Sequence, residues 1–140
     1  MAETKVPRGI RNNNPLNIRK GSNWQGEREE QTDKSFEEFK SLEYGIRAGF
    51  KLIKRYMSGY NGLTKPFDTI ELIVKRWAPP TENATQSYID HVSREVGLSP
   101  KRHLSFYNKK VMCDIVSSMI HVECGQLIDR SIIESAYDMV

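Results

Sequence analysis

The sequence predicts a mainly α (α+β) domain of about five helices, with a small β-ribbon or irregular region near the N-terminus. Two observations indicate this class. From residue 42 onward, apolar residues recur at three- and four-residue spacing in segments bounded by capping residues, glycine or proline. Residues 8–40 lack that periodicity. The chain length of 140 residues suits one domain over 8–140, preceded by a flexible tail at 1–7.

The first part of this domain is predicted to be rich in turns. Residues 8–19, RGIRNNNPLNIR, contain four asparagines, whose amides satisfy backbone groups in turns and also suit polar ligands such as sugars. Residues 16–18 and 36–39 are candidate strands of the ribbon, with 27–30 between them. The acidic side chains over 27–38 are interpreted as a solvated face. No good helix is predicted before residue 40.

The predicted helices start at cap residues and stop at glycine or proline. Their boundaries, N-cap first, are Ser41 to Gly59, Asp68 to Pro79, Asn83 or Thr85 to Gly97, Asn108 to Gly125, and Asp129 or Ser131 onward. In the second predicted helix, Trp77 takes the i+7 position of the apolar face. This spacing predicts that Trp77 lies in the core.

Charge and cysteine content narrow the function only weakly. A net charge of +3 permits an acidic partner such as a nucleic acid or a bacterial cell wall. Cys113 and Cys124 lie roughly 16 Å apart on one predicted helix, beyond disulfide reach, so both are expected as free thiols. No segment reads as a signal peptide or a membrane span. Cytoplasmic synthesis without membrane contact is therefore expected, and action elsewhere requires delivery.

Three carboxylates are candidates for catalysis. Glu123 extends the apolar stripe of the fourth predicted helix and lies in its last turn. Apolar surroundings and the helix dipole both favour its protonated form, which a general acid needs. Glu82 lies in a predicted loop and Asp33 follows Thr32, and both are weaker candidates. Each of the three is also compatible with a purely structural role.

Other side chains suggest binding or argue against further chemistry. Trp24 in the polar loop and Tyr88 are candidate platforms for sugar rings. His91, His103 and His121 are scattered, and His91 with Glu95 is interpreted as a helix-surface pair, so no metal or cofactor is expected. A basic cluster could contact phosphates, so a phosphate- or nucleic-acid-binding protein is a third interpretation, but no DNA-binding motif accompanies the cluster and a nucleic-acid partner is not favoured. The cluster comprises Arg8, Arg11, Arg19 and Lys20.

Several motifs in this order resemble a family of phage and prophage proteins usually labelled virion structural proteins, found also in gut Bacteroides-like genomes. The motifs are GIRNNNPLNIR at 9–19, NWQG at 23–26, Asp33 with Phe36 and Phe39, YGIRAG at 44–49, RWAPPTENAT at 76–85 with YI at 88–89, and MIHVECG at 119–125. The resemblance covers roughly residues 8–138. It implies a phage-related protein, with other virion proteins as candidate partners.

A fainter similarity concerns function. Residues 13–26 look like the Asn-Asn-x-x-Gly-Ile-Lys segment of cell-wall glucosaminidases and flagellar muramidases, which have a lysozyme-like fold. In those enzymes the catalytic Glu precedes the Asn-Asn segment, whereas only Glu3 precedes it here. Because Glu123 ends a predicted helix as the lysozyme acid does, the similarity implies a circularly rearranged lysozyme-like domain. Glu123 would then meet the loop at 12–17.

These observations predict a phage-derived domain that cleaves peptidoglycan glycan strands by hydrolysis or transglycosylation. Glu123 is the expected general acid, Glu82 and Asp33 are accessory carboxylates, and the protein reaches the cell wall with a phage particle or lysis machinery. The expected substrate-binding residues are Asn12, Asn13, Asn14, Asn17, Trp24 and Tyr88. The alternative is a non-catalytic virion structural or cell-wall-binding protein with the same fold.

Overall fold

A computed structural model describes residues 6–59, 66–78 and 81–140, apart from the side chains at 82 and 83. The described residues are mainly helical, as the sequence predicts. Their helices, in chain order, are α1 (Arg8–Arg11), α2 (Leu42–Met57), α3 (Ile70–Trp77), α4 (Glu82–Val96), α5 (Lys109–Cys124) and α6 (Arg130–Asp138). None of these helices has both the length and the apolar character needed to cross a lipid bilayer.

Side-chain caps fix where most of the helices begin. Ser41 and Asn108 accept hydrogen bonds from backbone N–H groups in the first turns of α2 and α5, as predicted. Asp129 caps α6. The predicted cap Asp68 is wrong by one residue, because the Thr69 hydroxyl accepts the N–H of Leu72 at 3.2 Å.

The start of α4 also differs from the prediction. Asn83 and Thr85 were expected as caps, but both lie within α4. Thr81 has extended backbone dihedrals and is the N-cap residue that precedes the first turn of α4, but its side chain makes no capping hydrogen bond. The C-terminal ends agree with the prediction, because Gly97 and Gly125 follow α4 and α5 in the left-handed conformation. The predicted stop at Pro79 lies outside the described residues.

The N-terminal region contains less strand and more helix than predicted. The ribbon is reduced to two isolated antiparallel bridges, Arg19 with Phe36 and Glu27 with Phe39. Residues 8–11 form the one-turn helix α1, which the sequence analysis missed because one turn is too short to show apolar periodicity.

This region packs closely on α2 at two glycines one turn apart. A Cβ at Gly45 would lie 1.8 Å from the backbone oxygen of Asn13, and a Cβ at Gly49 would lie 2.2 Å from the Leu16 side chain. Leu16 is fully buried in the same apolar core as α2 and α5. The core therefore holds the asparagine loop, residues 12–17, rigidly against the helices. The two cysteines are free, Cys113 buried and Cys124 half-buried.

Candidate functional site

The asparagine loop is built by its own side chains. The buried Asn14 amide donates to the backbone oxygens of Ile18 at 2.9 Å and Glu37 at 3.0 Å, and its oxygen accepts the Ile18 N–H. Asn13 has a left-handed backbone (φ 53°) and donates to the oxygen of Phe39. These amides satisfy backbone groups that would otherwise be buried without partners.

Asn12 and Asp33 form a second internal contact. Asn12 is buried and donates to Asp33 at 3.1 Å. Asp33 also accepts the backbone N–H groups of Ser35 and Phe36 and lies 3.8 Å from the Arg8 guanidinium. These two N–H groups, then the Asn12 amide and the Arg8 charge, lower the pKa of Asp33 to about 2. These contacts indicate that Asp33 stabilises the turn at residues 33–36.

The predicted substrate-binding role of Asn12 and Asn14 finds no support in their positions. Both side chains are buried and hydrogen-bonded inside the domain, and neither lines a pocket described below. Asn residues at tight turns commonly bond backbone groups, and this use takes up the amides of Asn13 and Asn14, while the Asn12 amide is taken up by Asp33.

Asn17 is the exception, because it links the loop to Glu123. Its backbone is left-handed (φ 55°), and this directs the side chain towards the C-terminal end of α5. The Asn17 amide donates to Glu123 Oε1 at 3.0 Å and to the Glu123 backbone oxygen at 3.2 Å. The structure therefore brings together the predicted acid and the predicted loop from 106 residues apart.

Burial raises the pKa of Glu123 above its ordinary value, and the Asn17 amide and the Tyr88 hydroxyl partly offset that rise. Tyr88 lies on α4 with its hydroxyl buried beside the Glu123 carboxyl, without a well-aligned hydrogen bond among the described residues. Burial and the Glu123 charge raise the pKa of Tyr88. Tyr88 is thus a neighbour of the acid and too buried to stack on a sugar ring.

Glu123 faces a cavity of about 280 Å³, which we call the Glu123 pocket. The Arg8 and Arg19 guanidinium groups each lie 4.8 Å from the centre of the Phe36 ring at this end of the domain. Glu123 is the only carboxylate on the described wall of this pocket. The lining consists of Pro7, Arg8, Gly9, Asn17, Phe36, Glu123 and Cys124.

A second cavity of about 350 Å³, the tryptophan pocket, adjoins the first through Asn17. Trp24 lines it, as expected for a ligand-facing side chain, and its buried Nε1 has no hydrogen-bond partner among the described residues. The prediction that Trp77 lies in the core is confirmed only in part, because Trp77 packs against the core at its edge. Trp77 is half-buried on this wall, because it ends α3 at the rim of the core, where its Nε1 donates to the Leu16 oxygen.

A third cavity of about 310 Å³, the Glu37 pocket, shares Lys20, Gly21 and Ser22 with the tryptophan pocket. Glu37 is only 4% exposed, and its Oε2 has no partner in the described part of the chain. Burial, followed by a shared hydrogen bond and charge repulsion with Glu27, raises the pKa of Glu37 to about 7. The acid Glu37 was missed by the sequence analysis.

The interpretation of the acidic stretch as a solvated face is therefore wrong for two of its members. Glu38 is also buried, with 3% of its surface exposed. Its carboxylate accepts the backbone N–H of Thr32 and forms an ion pair with Arg28 at 3.3 Å. Around residue 37 the side chains alternate between two sides of an extended backbone, so Phe36 reaches the Glu123 pocket and Glu37 the other cavity.

Each of the other two pockets shares lining residues with the tryptophan pocket, and we call the three adjoining pockets together the cleft. Predicted site residues Asn17, Trp24 and Glu123 line the cleft. Asp33 supports it through Arg8. The third predicted carboxylate, Glu82, was expected in a loop but is the first residue of α4, and its side chain lies outside the described part of the structure.

The histidines are less scattered than the sequence suggests. His91, Glu95 and His121 each place one ligand atom within 4.8 Å of the others, on the facing sides of α4 and α5. Helix packing brings together residues that lie far apart in sequence, and sequence spacing alone does not show this. The expectation of scattered histidines is therefore wrong for this pair.

Comparison with known proteins identifies a phage relative. No protein-family model matches the chain. The chain is 41% identical over 125 residues to Protein P5 of Pseudoalteromonas phage PM2, an alignment that covers 86% of this chain and 73% of that protein. This confirms the prediction that the chain is related to phage proteins. The Bacteroides-type and lysozyme-like resemblances stay predictions. The chain belongs to the family of Protein P5 of phage PM2.

Proposed function

We propose that this protein is a phage cell-wall lytic domain that cleaves peptidoglycan glycan strands with Glu123 as general acid. The observation that carries the proposal is the hydrogen bond from Asn17 to Glu123 at the wall of a cavity. A carboxyl whose pKa is raised by burial stays protonated closer to neutral pH and can give its proton to a leaving oxygen.

The chemistry suits a substrate that supplies its own nucleophile. Glu123 protonates the glycosidic oxygen as the bond from that oxygen to the anomeric carbon breaks. Glycosidases with a single carboxyl use a neighbouring acetamido group of the sugar, and peptidoglycan sugars carry such groups. Asp33 binds its own turn, and Glu37 lies on the opposite side of the extended backbone from the Glu123 pocket. Neither is placed to act as the second carboxylate across one bond.

The shape of the cleft favours a polymeric substrate. Three adjoining pockets of about 280, 310 and 350 Å³ offer room for successive sugar rings. Trp24 and Trp77 supply apolar ring faces in the middle pocket, and Lys20 and Arg19 supply charge and hydrogen-bond donors beside them.

This proposal includes a lysozyme-like arrangement in circularly rearranged order. Glu123 ends the long helix α5 and meets the asparagine loop that, in the glucosaminidase-like resemblance, follows the acid in sequence. In such a protein, the chain is made in the cytoplasm and reaches the cell wall with the particle or with the lysis machinery.

Turbidity clearing of purified cell wall tests the proposal. The wild type is expected to clear the suspension, Glu123→Gln is expected to clear it at least about a hundredfold more slowly, and Glu71→Gln, a change on α3 that lines none of the three pockets, is expected to match the wild type. Equal clearing by Glu123→Gln would remove Glu123 from the mechanism. A folded wild type that sediments with cell wall but releases no fragments would instead establish a non-catalytic wall-binding or virion structural protein.

A further inference from the structure

A cluster of metal-ligand side chains lies between α4 and α5. His91 and Glu95 stand one turn apart on α4, and His121 faces them from α5. Two histidines and one glutamate form a ligand set that zinc uses in proteins, with a remaining coordination position open to water or another ligand. None of the cleft pockets includes these side chains.

The distances are close to those that a metal ion imposes. His91 Nε2 lies 3.4 Å from Glu95 Oε1, and His121 Nδ1 lies 3.2 Å from Glu95 Oε2. Tetrahedral ligand atoms at ~2.0–2.1 Å from zinc lie about 3.3–3.5 Å from one another. The widest separation within the cluster is 4.8 Å or less, so small side-chain rotations would complete the coordination.

Two buried polar atoms at the cluster lack well-aligned hydrogen bonds. His91 Nε2 is buried and makes no hydrogen bond among the described residues, although its ring is 32% exposed. The Ser118 hydroxyl beside Glu95 is also buried, without a well-aligned hydrogen bond in the same part of the chain. Buried polar groups without partners are rare because each one costs stability, so an ion bound at His91 Nε2 explains this arrangement.

From this geometry, we propose that His91, Glu95 and His121 bind one divalent transition-metal ion of the zinc class. The ion ties α4 to α5 close to the Tyr88–Glu123 contact, because Tyr88 precedes His91 by one helical turn and Glu123 follows His121 by two residues. This site stands independently of the proposed glycosidase activity.

A competing explanation uses no metal. In it, the Glu95 carboxylate simply bridges the two imidazole rings, whose centres lie 5.2 Å apart. The two explanations differ in stoichiometry, because the bridging ion pairs leave no place for a bound cation, whereas the metal site takes one ion per chain.

Titration of the full chain with zinc after treatment with a chelator tests the proposal. Calorimetry is expected to show one site per chain, and His91→Gln, Glu95→Gln and His121→Gln are each expected to weaken binding at least about tenfold. Two matched controls, His103→Gln and Cys124→Ser, remove a histidine and a half-buried thiol elsewhere and are expected to bind as the wild type does. Cobalt bound by the wild type is expected to show tetrahedral absorption without a thiolate charge-transfer band.

Several outcomes would overturn the metal site. These are the absence of saturable zinc binding by the folded wild type, equal binding by His91→Gln and His121→Gln, or binding that disappears in Cys124→Ser or His103→Gln. If His121→Gln on α5 does not fold, the imidazole NMR resonances of the wild type still show whether zinc binds at this site. Zinc must then shift the His91 and His121 resonances in a one-to-one titration, and a shift confined to His103 would contradict the proposal.

Discussion

The Asn17 amide donates to Glu123 Oε1 at 3.0 Å and to the Glu123 backbone oxygen at 3.2 Å, so one side chain fixes both the carboxyl and the end of α5. The donated N–H stabilises the charged form of the carboxyl and partly opposes the effect of burial on its pKa. Asn17 therefore both orients Glu123 and limits how far its pKa rises.

Asn17→Gly is the variant that isolates this contact. Glycine tolerates the left-handed backbone at this position, whereas alanine would add strain. We expect the pKa of Glu123 to rise further and the free energy of unfolding to fall by about 1–2 kcal/mol, because two hydrogen bonds are lost. Carboxyl ¹³C NMR titration gives the pKa, and denaturant unfolding gives the stability.

Asn13→Gly is the matched control for that experiment. Asn13 has the same left-handed backbone and donates to Phe39 instead of Glu123. A similar loss of stability with an unchanged pKa of Glu123 is expected. If Asn13→Gly and Asn17→Gly move the pKa equally, the hydrogen bond to Glu123 is not what sets it.

Tyr88→Phe tests the second neighbour of the acid. Because the Tyr88 hydroxyl also favours the charged carboxyl, its removal is expected to raise the pKa of Glu123. If Glu123 acts as the acid, the alkaline limit of activity moves to higher pH in the same variant, since the acid stays protonated longer. An NMR titration compared with a pH–rate profile checks both; a shift of either towards lower pH would contradict the assignment.

Glu37→Gln is expected to change how stability depends on pH. The folded-state pKa of Glu37, about 7, is above its ordinary value of 4.5, so the folded state favours the protonated form. The stability that protonated Glu37 contributes to the folded state is therefore fully present below the ordinary pKa of 4.5 and is lost as pH rises through about 7. Gln keeps the neutral form at every pH, so we expect the variant to be more stable than the wild type near pH 8, by on the order of 1 kcal/mol, with solvent screening at the cleft taken into account.

Glu27→Gln provides the comparison for Glu37. It keeps an oxygen that can accept the backbone N–H of Trp24 but removes the charge that repels Glu37. Because removal of this repulsion lowers the pKa of Glu37 towards its ordinary value, the loss of stability with rising pH is expected to be smaller in Glu27→Gln than in the wild type and to be complete at lower pH. Thermal unfolding from pH 4 to 9 measures this, and identical pH profiles for all three proteins would argue against a buried acid at Glu37.

The spacing of apolar and capping residues along the chain was sufficient to predict most helix boundaries and the position of Glu123 at the edge of an apolar helix face. Glu123 extends an apolar stripe within its own helix, and this pattern needs no tertiary information. Glu37 could not be found in this way, because it lies in a run of carboxylates without periodicity and is buried only by contacts with distant segments. His91 and His121 are neighbours only because α4 packs on α5 with these faces in contact, and sequence spacing does not specify this packing.

Gly45→Ala is expected to dislodge the asparagine loop. The added Cβ would lie 1.8 Å from the backbone oxygen of Asn13, and a backbone atom so close must shift. We expect a loss of about 2–3 kcal/mol or more. Gly49→Ala is the matched change, since its Cβ meets the Leu16 side chain, which can move, while alanine favours the helix. Urea unfolding compares the two, and an equal or larger loss for Gly49→Ala would mean that the loop does not depend on close approach at Gly45.

Trp24→Ala tests whether the tryptophan pocket binds sugar rings. The Trp24 side chain lies in the cleft and its buried Nε1 lacks a partner among the described residues, so the ring has a free donor as well as an apolar face. We expect binding of N-acetylglucosamine oligomers to weaken about tenfold, or ~1.4 kcal/mol, measured by calorimetry. Tyr107→Ala removes an aromatic ring that is 80% exposed and outside the three pockets. If both variants weaken binding equally, the oligomers bind exposed rings in general, whereas a loss confined to Trp24→Ala assigns the sugar-binding surface to the cleft beside Asn17.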